Sequence, residues 1–125
     1  MSREDATINM VIAALGGEGG GVLTNWLIVA AEQSGWWCQS TSLAGVAQRT
    51  GATIYYLEFM PRQGDKPAPV MSLFPAQGDI DIAVASEIAE AGRMISRGFI
   101  SPEKSMLIAS DHRVFGITEK SAAGD

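Results

Sequence analysis

Gly16-Gly17-Glu18-Gly19-Gly20-Gly21 stands between an apolar run and a segment of helical spacing, where backbone N–H groups and a helix dipole can meet an anion. Two familiar forms of that device do not fit. A phosphate-binding P-loop needs Lys and then Ser or Thr after its last glycine, and Val22 and Leu23 stand there. A dinucleotide fingerprint starting at Gly17 needs Gly or Ala at position 22 and an acid near the end of the next strand, where Gln39 and Ser40 stand. Nicotinamide and nucleoside triphosphates are therefore disfavoured. The alternative is that the glycines only permit a tight turn and a close backbone approach.

The second constellation is Ser40-Thr41-Ser42, then Gly45, then Gln48-Arg49-Thr50-Gly51. It follows a strand, so it belongs at the carboxyl edge of the sheet beside the glycine turn, where ligands of open α/β sheets bind. Arg49 is the one cation of this segment and suits a carboxylate or phosphate, or else caps carbonyls at the surface. His112 holds a similar edge position, although a lone histidine is more often neither ligand nor base. Cys38 has no activating cation beside it in sequence and reads as a small buried hydrophobe. Trp36 and Trp37 should point to opposite faces of a strand, and Met94 and Met106 read as gap-fillers in the core.

Elements that would position these residues follow from the pattern. Ile8 to Leu15 is a short, nearly continuous apolar run ending at glycine, as a strand buried in a mostly parallel sheet does. Leu23, Trp26, Leu27 and Ala30 then recur as the inner stripe of a helix, with Gly35 at its C-terminal cap. Trp36 to Gln39 is a second strand, completing the opening of a βαβ unit. Thr41 to Gly51 is a loop with room for two helical turns, and Thr53 to Phe59 is a third strand rich in β-branched and aromatic residues. Pro61, Gly64, Pro67, Pro69, Pro75 and Gly78 impose a surface excursion, with a short edge strand expected at Val70-Met71-Ser72-Leu73. Ile80 to Ala85 is a strand, Ser86 an N-cap, Ile88, Ala91 and Ile95 the inner stripe of a helix ending before Gly98, and Ser105 to Ser110 the last strand. The fold class is α/β: three layers, a mostly parallel sheet with helices on both faces, Rossmann-like without the dinucleotide fingerprint. Helices are few for such a sheet, so cover from a partner or from a C-terminal part of the domain beyond Asp125 is expected.

Composition sets the outer limits. A chain of 125 residues supports one core, so residues 1–125 are read as a single domain. No apolar run approaches the roughly 20 residues that cross a bilayer, and the N-terminus lacks the layout of a signal peptide, which points to the cytoplasm. The formal charge of −5 opposes nucleic-acid binding. One cysteine can neither form an internal disulfide nor hold an iron–sulfur cluster, and no metal-ligating set is apparent.

The two segments Gly16 to Trp26 and Ser40 to Thr53 together carry a resemblance to the gamma-type domain of 2-oxoacid:acceptor oxidoreductases, most closely the beta subunit of indolepyruvate:ferredoxin oxidoreductase. Asp81-Ile82-Ala83-Val84-Ala85-Ser86-Glu87, Glu90-Ala91-Gly92-Arg93 and Ile108 to Val114 extend it over nearly the whole chain, with Gln48-Arg49-Thr50-Gly51 the most specific block. The resemblance implies an enzyme that decarboxylates a 2-oxoacid on thiamine diphosphate with Mg, passes electrons through iron–sulfur clusters to a ferredoxin-like acceptor, and forms an acyl-CoA from coenzyme A. This chain lacks the Gly-Asp-Gly-type thiamine motif and the cluster cysteines, so those groups are expected on a large partner subunit, and the isolated chain is expected to be inactive. The resemblance carries no catalytic residue over to this chain. It places Gly17, Gly19, Gly20, Gly21, Ser40, Thr41, Gln48 and Arg49 as the residues facing the substrate and coenzyme A. The family commonly has Gln where Glu18 stands, a departure that weakens a phosphate reading of the turn. A homodimer is left open, and neither nucleic acid nor membrane is an expected partner. Two other readings stay open: a non-catalytic interaction module on the same fold, and a free-standing nucleotide- or flavin-binding protein.

Overall fold

The structure is a computed structural model that describes residues 7–43, 51–68, 70 and 78–112. Strand β1 (Ile8–Leu15) leads through the glycine turn into helix α1 (Gly20–Gln33), then β2 (Trp36–Leu43), β3 (Ala52–Pro61), β4 (Ile82–Ala85), helix α2 (Ile88–Ser96) and β5 (Met106–Ala109). The five strands form one sheet in the order β2-β3-β1-β4-β5. Pairing of β1 with β4 and of β4 with β5 is parallel, whereas β3 runs antiparallel to both β1 and β2. Four strands therefore share one direction, and β3 alone is inverted. The β1–α1–β2 crossover is the expected βαβ opening, but β3 lies between its two strands.

Period-two alternation decides what each face holds. Ile8, Met10 and Ile12 on β1 join Leu57 and Phe59 on β3, and Leu23, Leu27, Ile28 and Ala31 of α1 cover them. Val11 and Ala13 join Tyr56, Ala83 and Ala85 on the other face under Ala91 and Met94 of α2. The helices lie on opposite faces, which makes the three layers.

Several side chains depart from the sequence reading. Trp26 is 70% exposed and Ala30 is also at the surface, because α1 turns Thr24 and Ala31 inward instead. Ile88 and Ile95 are exposed on α2, and its buried stripe is Glu90, Ala91 and Met94. The N-cap of α2 is Glu87, whose carboxylate accepts from the Glu90 N–H at 3.2 Å; Ser86 does another job, described below. Buried Glu90 is paired with Arg93. Met106 is 62% exposed on the edge strand β5, so of the two methionines only Met94 fills the core. Trp36 packs into the α1-side core with Cys38, while Trp37 stacks under the Arg62 guanidinium at 4.2 Å. Burial, with the Glu32 charge second, pushes the Cys38 thiol up to about 11, as suits an inert packing residue. The loop expected over 41–51 gives residues 41–43 to β2, and its expected helical turns fall on 44–50, outside the described residues; of the edge strand expected at 70–73, Val70 is in no strand and 71–73 lie outside the described residues. Among the described residues no helix is long and apolar enough to cross a membrane.

Candidate functional site

The pairing registers converge on one edge. Leu15 at the end of β1 faces Ala52 at the start of β3, and Leu43 at the end of β2 faces Ile54. The glycine turn and both ends of the 44–50 connection therefore sit at the carboxyl edge of the sheet. Ser40 and Ser42 are paired with Leu57 and Tyr55, so they continue the α1-side row that begins with Trp36 and Cys38. That row changes from apolar to hydroxyl-bearing as it reaches the edge. The change opens a polar cleft between the strand ends and the first turn of α1.

The cleft has a volume of about 440 Å³ and is lined by Gly21, Val22, Thr24, Asn25, Ser40, Thr41, Ser42 and Tyr55. Its size falls in the range of small-molecule sites. Gly20 sets its floor: a Cβ there would stand 2.7 Å from the Ala14 Cβ and 2.8 Å from Tyr55 Cε2. Only glycine lets the helix start press directly on β1 and the Tyr55 ring. At Gly21 a Cβ would meet nothing closer than the Tyr55 hydroxyl at 3.4 Å, so its missing side chain leaves room for a ligand. The hydroxyl of buried Thr24 donates to the Gly20 carbonyl at 2.8 Å, fixing the first turn. The lining side chains are hydroxyls, one amide, one phenol and one valine, suited to holding a ligand by neutral hydrogen bonds.

The glycine turn itself is engaged from within. Gly17 and Gly19 both have φ of +82°, which lets the chain reverse around Glu18. The Glu18 carboxylate then accepts from the Ser86 hydroxyl at 2.7 Å and from the Leu15 N–H at 3.3 Å, with His112 Nε2 3.6 Å away. The carboxylate therefore bonds the end of β1 and the residue after β4, and α1 carries no side-chain cap bond at its start. Of the residues expected to face a ligand, Gly21, Ser40 and Thr41 line the cleft; Gly17 and Gly19 shape the turn beside it, and Gly20 packs beneath it. Gln48 and Arg49 lie outside the described residues. Sequence reasoning missed Tyr55, Thr24 and Asn25. Thr24 and Asn25 were findable, since any cleft at the start of α1 must be walled by the residues that follow its glycines.

Iron–sulfur chemistry does not fit this donor set. A cluster needs several thiolates and the chain has one cysteine, while the described residues hold no group of three or more His, Cys, Asp or Glu suited to a metal.

The model of the family described as pyruvate ferredoxin/flavodoxin oxidoreductase matches residues 9–123. No curated protein sequence matches the chain. Among solved structures, 2-oxoglutarate:ferredoxin oxidoreductase from Magnetococcus marinus, determined with 2-oxoglutarate, coenzyme A and succinyl-CoA bound, superposes with a TM-score of 0.63 at 13% identity. That match covers 93% of this chain and 18% of the other, a likeness of fold. The gamma subunit of a keto/oxoacid ferredoxin oxidoreductase from Geobacter sulfurreducens matches at 14% identity and a TM-score of 0.48, covering 82% of this chain and 60% of that one. A family match spanning almost the whole sequence decides the assignment: the chain belongs to the pyruvate ferredoxin/flavodoxin oxidoreductase family.

Proposed function

We propose that this chain is the non-thiamine, gamma-type domain or subunit of a 2-oxoacid oxidoreductase, and that it shapes the substrate and coenzyme A side of the active site. The observation that carries the reading is the family match over residues 9–123. In the proposed reaction a 2-oxoacid, an arylpyruvate such as indolepyruvate, loses CO2, its acyl group passes to the coenzyme A thiol, and two electrons leave for a ferredoxin-like acceptor. Thiamine diphosphate, its Mg and the clusters lie outside these 125 residues, on a large partner. This chain's contribution is binding and orientation. The hydroxyls of Ser40, Thr41, Ser42 and Tyr55 and the Asn25 amide offer hydrogen bonds to the amide-rich arm of coenzyme A or to the oxoacid. On the connection that joins the edge positions Leu43 and Gly51, Arg49 would supply the cation an anionic group requires and Gln48 a neutral amide.

Purification of the native chain with its companions tests the reading. The expected result is a complex containing thiamine diphosphate and iron–sulfur clusters that reduces an acceptor in the presence of coenzyme A and one of indolepyruvate, phenylpyruvate or pyruvate. Highest kcat/KM with pyruvate would remove the arylpyruvate assignment. A chain that purifies alone, without such a partner, favours the reading as an interaction module; tight nucleotide or flavin binding by that lone chain favours a free-standing binding protein.

A further inference from the structure

We infer that Glu18 is a positioning residue for the cleft: anchored to Ser86, it holds the turn from which the Gly21–Asn25 wall is built. The inference rests on the cleft being the ligand site proposed above. Packing fixes the turn only at its helix side, through Gly20; a Cβ at Gly16, Gly17 or Gly19 would meet nothing within 4 Å. Side-chain capping does not hold it either: the N-cap of α1 is Gly19, with no side-chain cap bond, and the first turn has no acidic residue. What remains among the described residues is the turn's own backbone bonds, Glu18 N–H to Leu15 O at 3.1 Å and Leu23 N–H to Gly19 O at 2.9 Å, and the Glu18 carboxylate.

That carboxylate joins separate parts of the edge. Its Oε1 accepts from the Leu15 N–H at the end of β1 and from the hydroxyl of Ser86, the first residue after β4. The Ser86 oxygen also accepts from the Leu15 N–H at 3.4 Å, and the Ser86 N–H continues the ladder by donating to the Ala13 carbonyl at 3.0 Å. Ser86 is thereby a fixed point, and Glu18 transfers its position to the turn. The Oε2 side faces His112, whose N–H donates to Ser110 Oγ and whose carbonyl accepts from the Ile88 N–H. The Ser86 contact at 2.7 Å is a short O–H···O hydrogen bond, whereas the His112 pair is 3.6 Å apart with side chains 53% and 23% exposed. Exposed pairs of that kind contribute little. The working part of Glu18 is therefore its acceptor oxygen, and glutamine, which keeps one, should replace it.

Amide hydrogen exchange of the purified full chain reads the anchor directly. Glu18→Ala and Ser86→Ala should speed exchange at Leu15, Glu18 (or its replacement) and Leu23 by about tenfold, with the β3 amides unchanged as the internal control. Glu18→Gln and His112→Gln should stay within about threefold of the parent. Unchanged exchange in Glu18→Ala, or equal acceleration in Glu18→Gln, overturns the inference. In the assembled enzyme Glu18→Ala should raise the KM for coenzyme A or the oxoacid about tenfold while kcat holds, with Glu18→Gln restoring it. Faster exchange with both KM values unchanged overturns the positioning role, and so does a fall in kcat alone. The exchange arm needs neither partner nor ligand, so its outcome is independent of whether the proposed function holds.

Discussion

Gly20→Ala is the sharpest test of how the cleft is built. The added methyl would stand 2.7 Å from the Ala14 Cβ and 2.8 Å from Tyr55 Cε2, inside the distance real Cβ atoms keep. Ala14 belongs to β1 in the middle of the sheet and cannot retreat, so α1 or the Tyr55 ring must move. Overpacking of this size costs about 1–3 kcal/mol, and the helix-propensity gain of alanine over glycine returns at most about 1 kcal/mol, less in a first turn. The net expectation is a loss of about 1–2 kcal/mol, read as a lower urea midpoint at constant m-value. Gly21→Ala, whose Cβ would have 3.4 Å to the Tyr55 hydroxyl, should leave the midpoint unchanged or raise it slightly. A Gly20→Ala protein as stable as its parent would refute the close approach of α1 to β1 and Tyr55, and with it the floor of the cleft.

Trp26→Ala should change stability by less than about 1 kcal/mol by urea denaturation, because the ring is 70% exposed; a core tryptophan would cost about 3–5 kcal/mol. Tyr56 is buried, its one O–H proton donated to the Glu58 carboxylate at 2.8 Å with Asn9 Oδ1 3.2 Å away, so Tyr56→Phe removes a buried charge-assisted hydrogen bond and should cost about 1–3 kcal/mol at neutral pH. Burial first, then the Glu58 hydrogen bond, raises the phenol's pKa in the folded state. Its stabilisation is thus complete below the unfolded value near pH 10 and is lost as pH rises beyond it, and Tyr56→Phe should flatten that alkaline decline in a stability–pH curve. Arg49→Ala in the reconstituted complex should lower kcat/KM about ten- to a hundredfold, the equivalent of about 1.5–3 kcal/mol, with melting temperature and partner binding unchanged; lysine should rescue only in part.

Much of the framework was legible because each element announces itself locally. The continuous apolar run of β1, the aromatic and β-branched run of β3 and the glycine at position 35, which ends α1 at φ +82°, all stand where the pattern puts them. Strand direction is not local. Thr53 to Phe59 reads the same whichever way it points, although the short connection from Leu43 to Ala52 favours an antiparallel neighbour over a crossover. On α1 the expected inner stripe held at Leu23 and Leu27 and failed at Trp26 and Ala30, because Val22, Leu23, Trp26, Leu27, Ile28 and Val29 make the helix apolar nearly all round. Periodicity then fixes no single stripe, and small Thr24 and Ala31 win the inner face where the helix lies close to the sheet. On α2 the apolar residues Ile88 and Ile95 lost the interior to glutamates that cap and pair locally. At the site, Ser40, Thr41 and Gly21 were legible from edge position alone. Tyr55 was not, since only the Ser42–Tyr55 pairing across β2 and β3 brings it there.

The central claim is that the ligand of this family member is met at the carboxyl-edge cleft. Hydrogen exchange of the assembled enzyme with and without coenzyme A and the oxoacid tests it most directly. The account predicts new protection in Gly21–Asn25 and Ser40–Ser42, the two walls of the cleft, with the amino-edge segment 62–67 unchanged. Protection confined to that amino-edge segment, or absent from both cleft walls at saturating ligand, would contradict it.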